Sequence, residues 1–226
     1  MPVALHSTQC VKLESSQIRQ LYTPKLANPI LVEGLVGFGN VGRITARTLV
    51  QHTQAKLFAE YYSPYFPDYV TVNKEGICSP PHYRFYAREE DKENSLIILT
   101  GNAQPPMDNV VAHYEICEDI LNYAQKLGCS IIITIGGVPI ASEKKDIYVA
   151  ATSNELAAEV MAKGGIIYGK GRIMGVTGLL LGLAKERGLD GICLLGGTSG
   201  LRSDKDAATA VFQFLTRVIA KEIQRS

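Results

Sequence analysis

Short apolar runs alternate along this chain with segments whose apolar residues recur every three or four positions. Alternating strand-like and helix-like periods point to a layered α/β fold. Strands are predicted over 30–36, 56–62, 95–100, 130–135, 147–151 and 191–195. The run 130–135 is apolar without in–out alternation, which suits a central strand covered on both faces. A helix is predicted over 40–52, with Val41, Ile44, Thr48 and Leu49 on one face, and a second over 109–127. The inward stripe of that second helix reads Val110, Tyr114, Cys117, Leu121 and Ala124. Thr152-Ser-Asn-Glu155 has the form of a capping box, with Thr152 as cap. Ser203-Asp-Lys-Asp206 opens a closing helix whose stripe reads Ala208, Phe212, Leu215, Ile219 and Ile223. The pattern predicts one α/β domain spanning residues 1–226.

Between Tyr61 and Glu90 the alternation fails. Two strand-like pieces, 69–73 and 82–88, are joined through Lys74-Glu75-Gly76, and prolines stand at 64, 67, 80 and 81. The segment reads as a β-hairpin excursion from the main sheet. Six of the eleven tyrosines fall in it. Tyrosine joins a large apolar ring to a polar tip and is favoured where proteins meet. The expectation is a protein-binding surface carrying Tyr61, Tyr62, Tyr65, Phe66, Tyr69, Tyr83 and Tyr86. Rings that only cover a sheet edge are the plainer alternative.

Composition narrows the classes. With 46% hydrophobic and 20% charged residues this is the make-up of an ordinary globular protein. A formal net charge of +1 supplies no overall field to recruit nucleic acid or an anionic membrane. The five cysteines are scattered and never in C-x-x-C spacing, which suits a reducing, cytoplasmic setting. Residues 1–14 lack the pattern of a signal peptide, and the apolar run 176–184 is too short to span a bilayer. No cofactor is expected.

Glycine motifs supply the candidate chemistry. Gly37, Gly39 and Gly42 spell G-x-G-x-x-G between a strand and a helix, and Glu60 lies near where a ribose-binding acid would fall. Against a dinucleotide fold, Glu33 and Gly34 interrupt the first strand, and a hairpin follows the second where a crossover helix should continue. What survives is a glycine turn at a helix N-terminus that offers free N–H groups to an anion. Further glycine turns are expected after other strands. The candidate ligand loops therefore collect Gly37, Gly39, Asn40, Val41, Gly42, Gly136, Gly137, Gly196, Gly197 and Thr198. Glycines that merely permit tight reversals are the alternative. The segment 164–171 mimics a phosphate loop but ends in Gly171 rather than a hydroxyl residue. Ser199 lies in a G-x-S-x-L sequence, not a nucleophile elbow, because Leu201 stands where glycine is required. His113 and Cys117 share a helix face, and two ligands make no zinc site. No catalytic residue and no metal site are assigned.

The order of segments resembles a known family. Gly-Phe-Gly-Asn-Val-Gly42, Tyr-Tyr-Ser-Pro-Tyr-Phe-Pro-Asp68, Leu-Ile-Ile-Leu-Thr-Gly-Asn-Ala-Gln-Pro105, Ile-Gly-Gly-Val-Pro139, Gly-Val-Thr-Gly-Leu-Leu181 and Leu-Leu-Gly-Gly-Thr198 follow one another. Together they resemble the archaeal relatives of the second proteasome assembly chaperone, from about residue 29 to 223. The resemblance implies a three-layer αβα sandwich similar to nucleoside phosphorylases, without an established enzymatic activity. It also implies homo-oligomers and a role in proteasome α-subunit assembly that needs no ATP. Relatives that dock on the α-ring can end in a hydrophobic-Tyr-any tripeptide. This sequence ends Ile223-Gln-Arg-Ser226 without the penultimate Tyr, a departure that argues against docking by the tail and leaves docking through another surface open. The competing expectation is an enzyme or small-ligand binder for a nucleoside, phosphate or dinucleotide at the glycine-rich strand ends.

Overall fold

Strands that are apolar on both sides can be buried only where helices cover both faces of their sheet. The computed structural model, which describes residues 14–90, 94–140, 144–200 and 202–222, meets that requirement. In chain order it places β1 (Gln17–Gln20), β2 (Ile30–Gly34), a single 3-10 turn at Phe38–Asn40, α1 (Val41–Thr53) and β3 (Lys56–Tyr62). The short pair β4 (Thr71–Val72) and β5 (Cys78–Ser79) follows, then β6 (Tyr83–Arg88), β7 (Leu96–Gly101), α2 (Val110–Lys126) and β8 (Ile131–Pro139). The remainder is β9 (Ile147–Ala151), α3 (Asn154–Ala162), β10 (Ile166–Ile167), α4 (Gly175–Glu186), β11 (Asp190–Thr198) and α5 (Lys205–Glu222).

Among the described residues nine strands form one sheet in the order β1-β3-β6-β7-β2-β8-β11-β9-β10. The four central strands β7, β2, β8 and β11 run parallel, while β6 and β9 flank them antiparallel. Successive strand residues face opposite sides. Leu31, Phe85, Ile97, Leu99 and Ile132 therefore pack under α2 and α4. Ile30, Val32, Ile98, Ile133 and Leu194 pack under α1 and α5, and Val160 of α3 joins that core. The result is a three-layer αβα arrangement.

Helix starts follow local chemistry. Asn109 accepts from the Ala112 amide at 3.1 Å, and Asp204 from the Ala207 amide at 2.9 Å. For α3 the cap is Ser153, which accepts from the Leu156 amide, rather than the expected Thr152. Thr152 instead accepts from the Gly191 amide at 2.9 Å and ties the helix entry to β11. Cys117, Leu121 and Ala124 of the expected α2 stripe are buried, whereas Val110 and Tyr114 are exposed. Val110 shares a face with Cys117 but sits in the first turn, beyond the reach of the packed layers. Ile223 and the tail at 223–226 lie outside the described residues, as do Cys10 and Leu201.

The hairpin region is organised differently from expectation. Only β4 and β5 form the excursion, through a loop at 73–77. The piece expected as its second strand, 82–88, is β6, inserted between β3 and β7 in the main sheet. The reason is packing: Tyr83, Phe85 and Ala87 alternate with half-buried residues, a pattern that needs a strand on each side and a helix layer beneath.

One contact fixes how α1 lies on the sheet. A Cβ on Gly42 would stand 2.3 Å from the Ile135 carbonyl oxygen, and one on Gly34 would stand 2.3 Å from the Gly42 carbonyl oxygen. Helix propensity alone predicts that Gly42→Ala stabilises α1 by up to ~1 kcal/mol. The backbone clash reverses the sign, and a loss of about 2–3 kcal/mol is expected. Gly182→Ala in α4 is the control, because open space surrounds that position. It should gain ~0.5–1 kcal/mol. Urea denaturation of both variants checks the pair, and equal behaviour would refute close backbone packing at Gly42.

Candidate functional site

Because β7, β2, β8 and β11 are parallel, their carboxyl ends gather at one edge of the sheet, where α/β folds place ligands. A cleft of about 740 Å³ lies there. Gly37, Phe38, Gly136 and Gly137 line one part, and Thr177 and Arg172 lie on its α4 side. Of the expected loop residues, Gly37, Gly136 and Gly137 thus reach the cleft.

The others do not line it. Gly39, with φ 59°, is buried so closely against Thr198 that a Cβ would meet its hydroxyl at 2.6 Å. Val41 and Gly42 are buried at the start of α1. Of the turns expected at Gly136–Gly137 and Gly196–Gly200, the first lies inside β8 and the second runs inside β11 as far as Thr198, with Gly196 paired to Gly137, and leaves the strand only at 199–200, where Gly200 has φ 77°. Their role is clearance. The Phe38 carbonyl oxygen stands 2.2 Å from where a Gly137 Cβ would be. Gly196 makes the same room for Val211 and Val41. Thr198 is held inward, its hydroxyl donating to Asp204 Oδ2 at 2.9 Å. Lys145 Nζ contacts the same oxygen at 2.8 Å. Burial opposes ionisation of Asp204, but the Ala207 amide, Lys145 and the Thr198 hydroxyl outweigh it and hold the carboxyl at about 2. Asn40, in a left-handed conformation, reaches Ser203 Oγ at 2.9 Å. The glycine loop is a fastening between α1, β8 and β11.

The dinucleotide geometry is absent as well. β3, which follows α1, is separated from β2 by β6 and β7. Glu60 on it is ion-paired with both Arg19 and Arg84, and it accepts from the Tyr62 hydroxyl. The acid expected to hold a ribose is thus committed elsewhere, on a strand away from the glycine loop.

In the sequence Glu33 interrupts the apolar run of β2. It is fully buried, one hydrogen bond behind the cleft: Thr177 Oγ1 donates to Glu33 Oε1 at 3.1 Å, as does the Leu35 amide. Burial pushes its carboxyl up to about 8, against the stabilising bonds from Thr177, Ile135 and Leu35. The signal available was a single acid in an otherwise apolar strand.

The aromatic surface needs correction. Tyr61 and Tyr83 are buried and stacked at 5.9 Å between centroids, and Phe66 closes on Tyr83 at 4.7 Å. All three belong to the α2/α4 core, Tyr61 and Tyr83 because strand alternation turns them inward, and the Tyr61 hydroxyl donates to Asp119 at 2.9 Å. Tyr62, Tyr65 and Tyr86 are half-buried, and Tyr69 is exposed. Sequence reasoning missed the aliphatic part of this surface. Val70, Val72 and Ile77 on and beside the β4–β5 hairpin are exposed, the last two by 61% and 66%.

These features sit on a fold with known relatives. A family model described as the PAC2 family matches residues 31–226. The chain belongs to the PAC2 family. It is similar to Pyrococcus furiosus PbaB, described as an archaeal proteasome activator, with 34% identity and a TM-score of 0.86 over 92% of this chain and 90% of that one. Pyrococcus furiosus PbaA, described as an archaeal homolog of proteasome-assembly chaperone, matches with 28% identity and a TM-score of 0.77, covering 92% and 82%. An uncharacterized protein of Methanocaldococcus jannaschii is 33% identical over 207 residues, 90% of this chain and 78% of that one. The resemblance read from the order of segments is therefore a true one. Among the described residues no group of three or more His, Cys, Asp or Glu could hold a metal ion, and no helix is long and apolar enough to cross a membrane.

The buried carboxyl of this PAC2 protein has a measurable consequence. Glu33 stays protonated up to about pH 8 in the fold, whereas an unfolded glutamate ionises near ~4.3. Its contribution is therefore complete below ~4.3 and is lost as pH rises through about 8, so stability falls across that window. Glu33→Gln, which keeps shape and the carbonyl acceptor, should flatten the curve between those limits. Melting temperatures taken at intervals across the window check this, and an unchanged slope in the variant would refute it.

Proposed function

We propose that this PAC2 protein binds proteasome subunits or their assembly intermediates, in the manner of an assembly chaperone or activator, without ATP and without catalysis. The observation that carries this reading is the similarity to PbaB across nine-tenths of both chains. PbaA and the family match support it. Self-association belongs to the same reading, as does a cytoplasmic place of action.

The contact surface we assign is the β4–β5 hairpin with its half-buried tyrosine neighbours. Tyr69, Val70, Val72 and Ile77 form an apolar tip on a two-stranded element that has no core of its own. Exposed apolar residues gathered on one projecting element are the usual mark of an interface. The half-buried Tyr62, Tyr65 and Tyr86 are included in the assigned surface. Tyr61, Tyr83 and Phe66 belong to the core and take no part in this surface.

A second reading rests on the 740 Å³ cleft, whose volume lies within the range of small-molecule sites. There a nucleoside, phosphate or dinucleotide would lie against Gly37, Gly136 and Gly137. A ligand that binds only the folded protein raises its melting temperature, so a thermal-shift panel of those compounds separates the two readings.

The proteasome reading is tested by mixing the purified protein with archaeal proteasome α subunits and core particles. Co-elution, faster assembly or altered peptide hydrolysis is expected. Val72→Asp combined with Ile77→Asp should weaken the association at least ~30-fold, as loss of an interface anchor does. The melting temperature should hardly move, because solvent-facing changes cost within ~0.5 kcal/mol. Neither co-elution nor altered assembly or hydrolysis with the intact protein would overturn the reading, and full binding by the double variant would overturn the assigned surface.

A further inference from the structure

On the opposite face of the sheet from the buried tyrosines, a cavity of about 460 Å³ lies between α1, the ends of β6 and β7, and the underside of the β4–β5 hairpin. Its chemistry differs from that of the glycine-lined cleft. Arg43 and Arg47, one helical turn apart on α1, project to it, and Arg84 of β6 lies across from them. Among the described residues neither Arg43 nor Arg47 has a carboxylate partner. Arg84 engages Glu60 through Nε, but Glu60 is shared with Arg19 and the Tyr62 hydroxyl. Both terminal amino groups of Arg84 remain for another acceptor. Burial and the charge of Arg47 together lower the pKa of Arg43, the expected strain of like charges held close with no anion between them.

An independent observation points the same way. Thr100 of β7 lines this cavity, is more than nine-tenths buried, and its hydroxyl has no hydrogen-bond partner among the described residues. A buried hydroxyl without a partner carries an energetic penalty that a ligand atom can relieve. Three guanidinium groups around one cavity, with a buried unpartnered hydroxyl in its wall, make a donor set rich in positive charge. Guanidinium forks match tetrahedral phosphate oxygens, and phosphate satisfies several donors at once.

We propose that this cavity binds the phosphate group of a small phosphomonoester. The volume exceeds what a bare phosphate fills and lies in the range of small-ligand pockets, so an organic portion would rest against Tyr86 and Ile77. The assignment does not depend on the proteasome reading: Ile77 borders both surfaces, but Arg43, Arg47 and Arg84 take no part in the apolar tip.

Isothermal titration calorimetry at low ionic strength tests it, using inorganic phosphate, ribose 5-phosphate, ribose and a poly-glutamate peptide as probes. Ribose 5-phosphate and phosphate should bind and ribose should not, with affinity falling as salt is added. Arg47→Gln, an exposed position, and Thr100→Val, a near-isosteric change, should each weaken ribose 5-phosphate by ~10-fold or more. Circular dichroism melts confirm that both variants fold. The absence of binding by phosphate and ribose 5-phosphate to the intact chain would overturn the proposal, as would equal affinity in both variants. Tighter binding of poly-glutamate with the same sensitivity to Arg47→Gln would overturn it too, by reassigning the cavity to an acidic protein segment. Proteasome association retained by Arg47→Gln, with ribose 5-phosphate binding retained by Val72→Asp alone, would support the proposal by separating the phosphate site from the docking tip.

Discussion

Backbone meeting backbone, without side chains between, is the contact on which this fold depends. Gly34 lies under the Gly42 carbonyl, Gly42 under the Ile135 carbonyl, and Gly137 under the Phe38 carbonyl. These approaches seat the first turn of α1 directly on β2 and β8. From that seat α1 runs over β7 and β8 and packs beside α5. The register of one helical layer is therefore set at a place where no side chain larger than hydrogen fits. Dispersion contacts elsewhere then act on an arrangement already defined, since close-packed interiors tolerate little displacement.

The same contact explains why a dinucleotide-like fingerprint occurs without its chemistry. A pyrophosphate site needs glycines whose amides face open space at a helix N-terminus. Here Gly42 and Gly39 face β8 and β11 rather than open space, and the Asp204 amide bonds to the Gly39 carbonyl at 2.8 Å. Glycine spacing reports a demand for close approach. It does not say whether a ligand or another strand does the approaching, and only the neighbours of β2 in the sheet decide between them.

Much of the architecture was legible because it rests on periodicity. Continuous apolar runs marked β2, β7, β8 and β11, and helical stripes marked α1, α2 and α5 to within a few residues. The alternating class and the two-sided core followed from those runs alone. The order of glycine motifs also pointed to the right family. What stayed hidden depended on long-range pairing. Residues 82–88 have the composition of a hairpin partner, yet Tyr83 and Phe85 find a helix-covered slot between β3 and β7. Tyr61 and Tyr83 look like interface residues in the sequence, because an aromatic cluster has the same composition whether buried or exposed. Glu33 was visible only as an irregularity, since a lone acid in a strand gives no sign of whether Thr177 will stand 3.1 Å away.

The hairpin shows how an exposed element can be held without a core. β4 and β5 contribute two residues each to their pairing, too little for an isolated ribbon to persist in water. Asn102, just beyond β7, supplies the anchorage from three directions. Its side-chain oxygen accepts from the His82 amide at 3.0 Å, its side-chain nitrogen donates to Thr71 at 3.3 Å, and its carbonyl accepts from the Tyr69 hydroxyl at 3.2 Å. Polar bonds at the base thus leave Val70, Val72 and Ile77 free of structural duty. The underside of the same element closes a space lined by Arg43, Arg47 and Arg84. One short ribbon, fixed by one asparagine, separates an apolar outer surface from a cationic inner one, and so a single excursion from the sheet presents two kinds of chemistry.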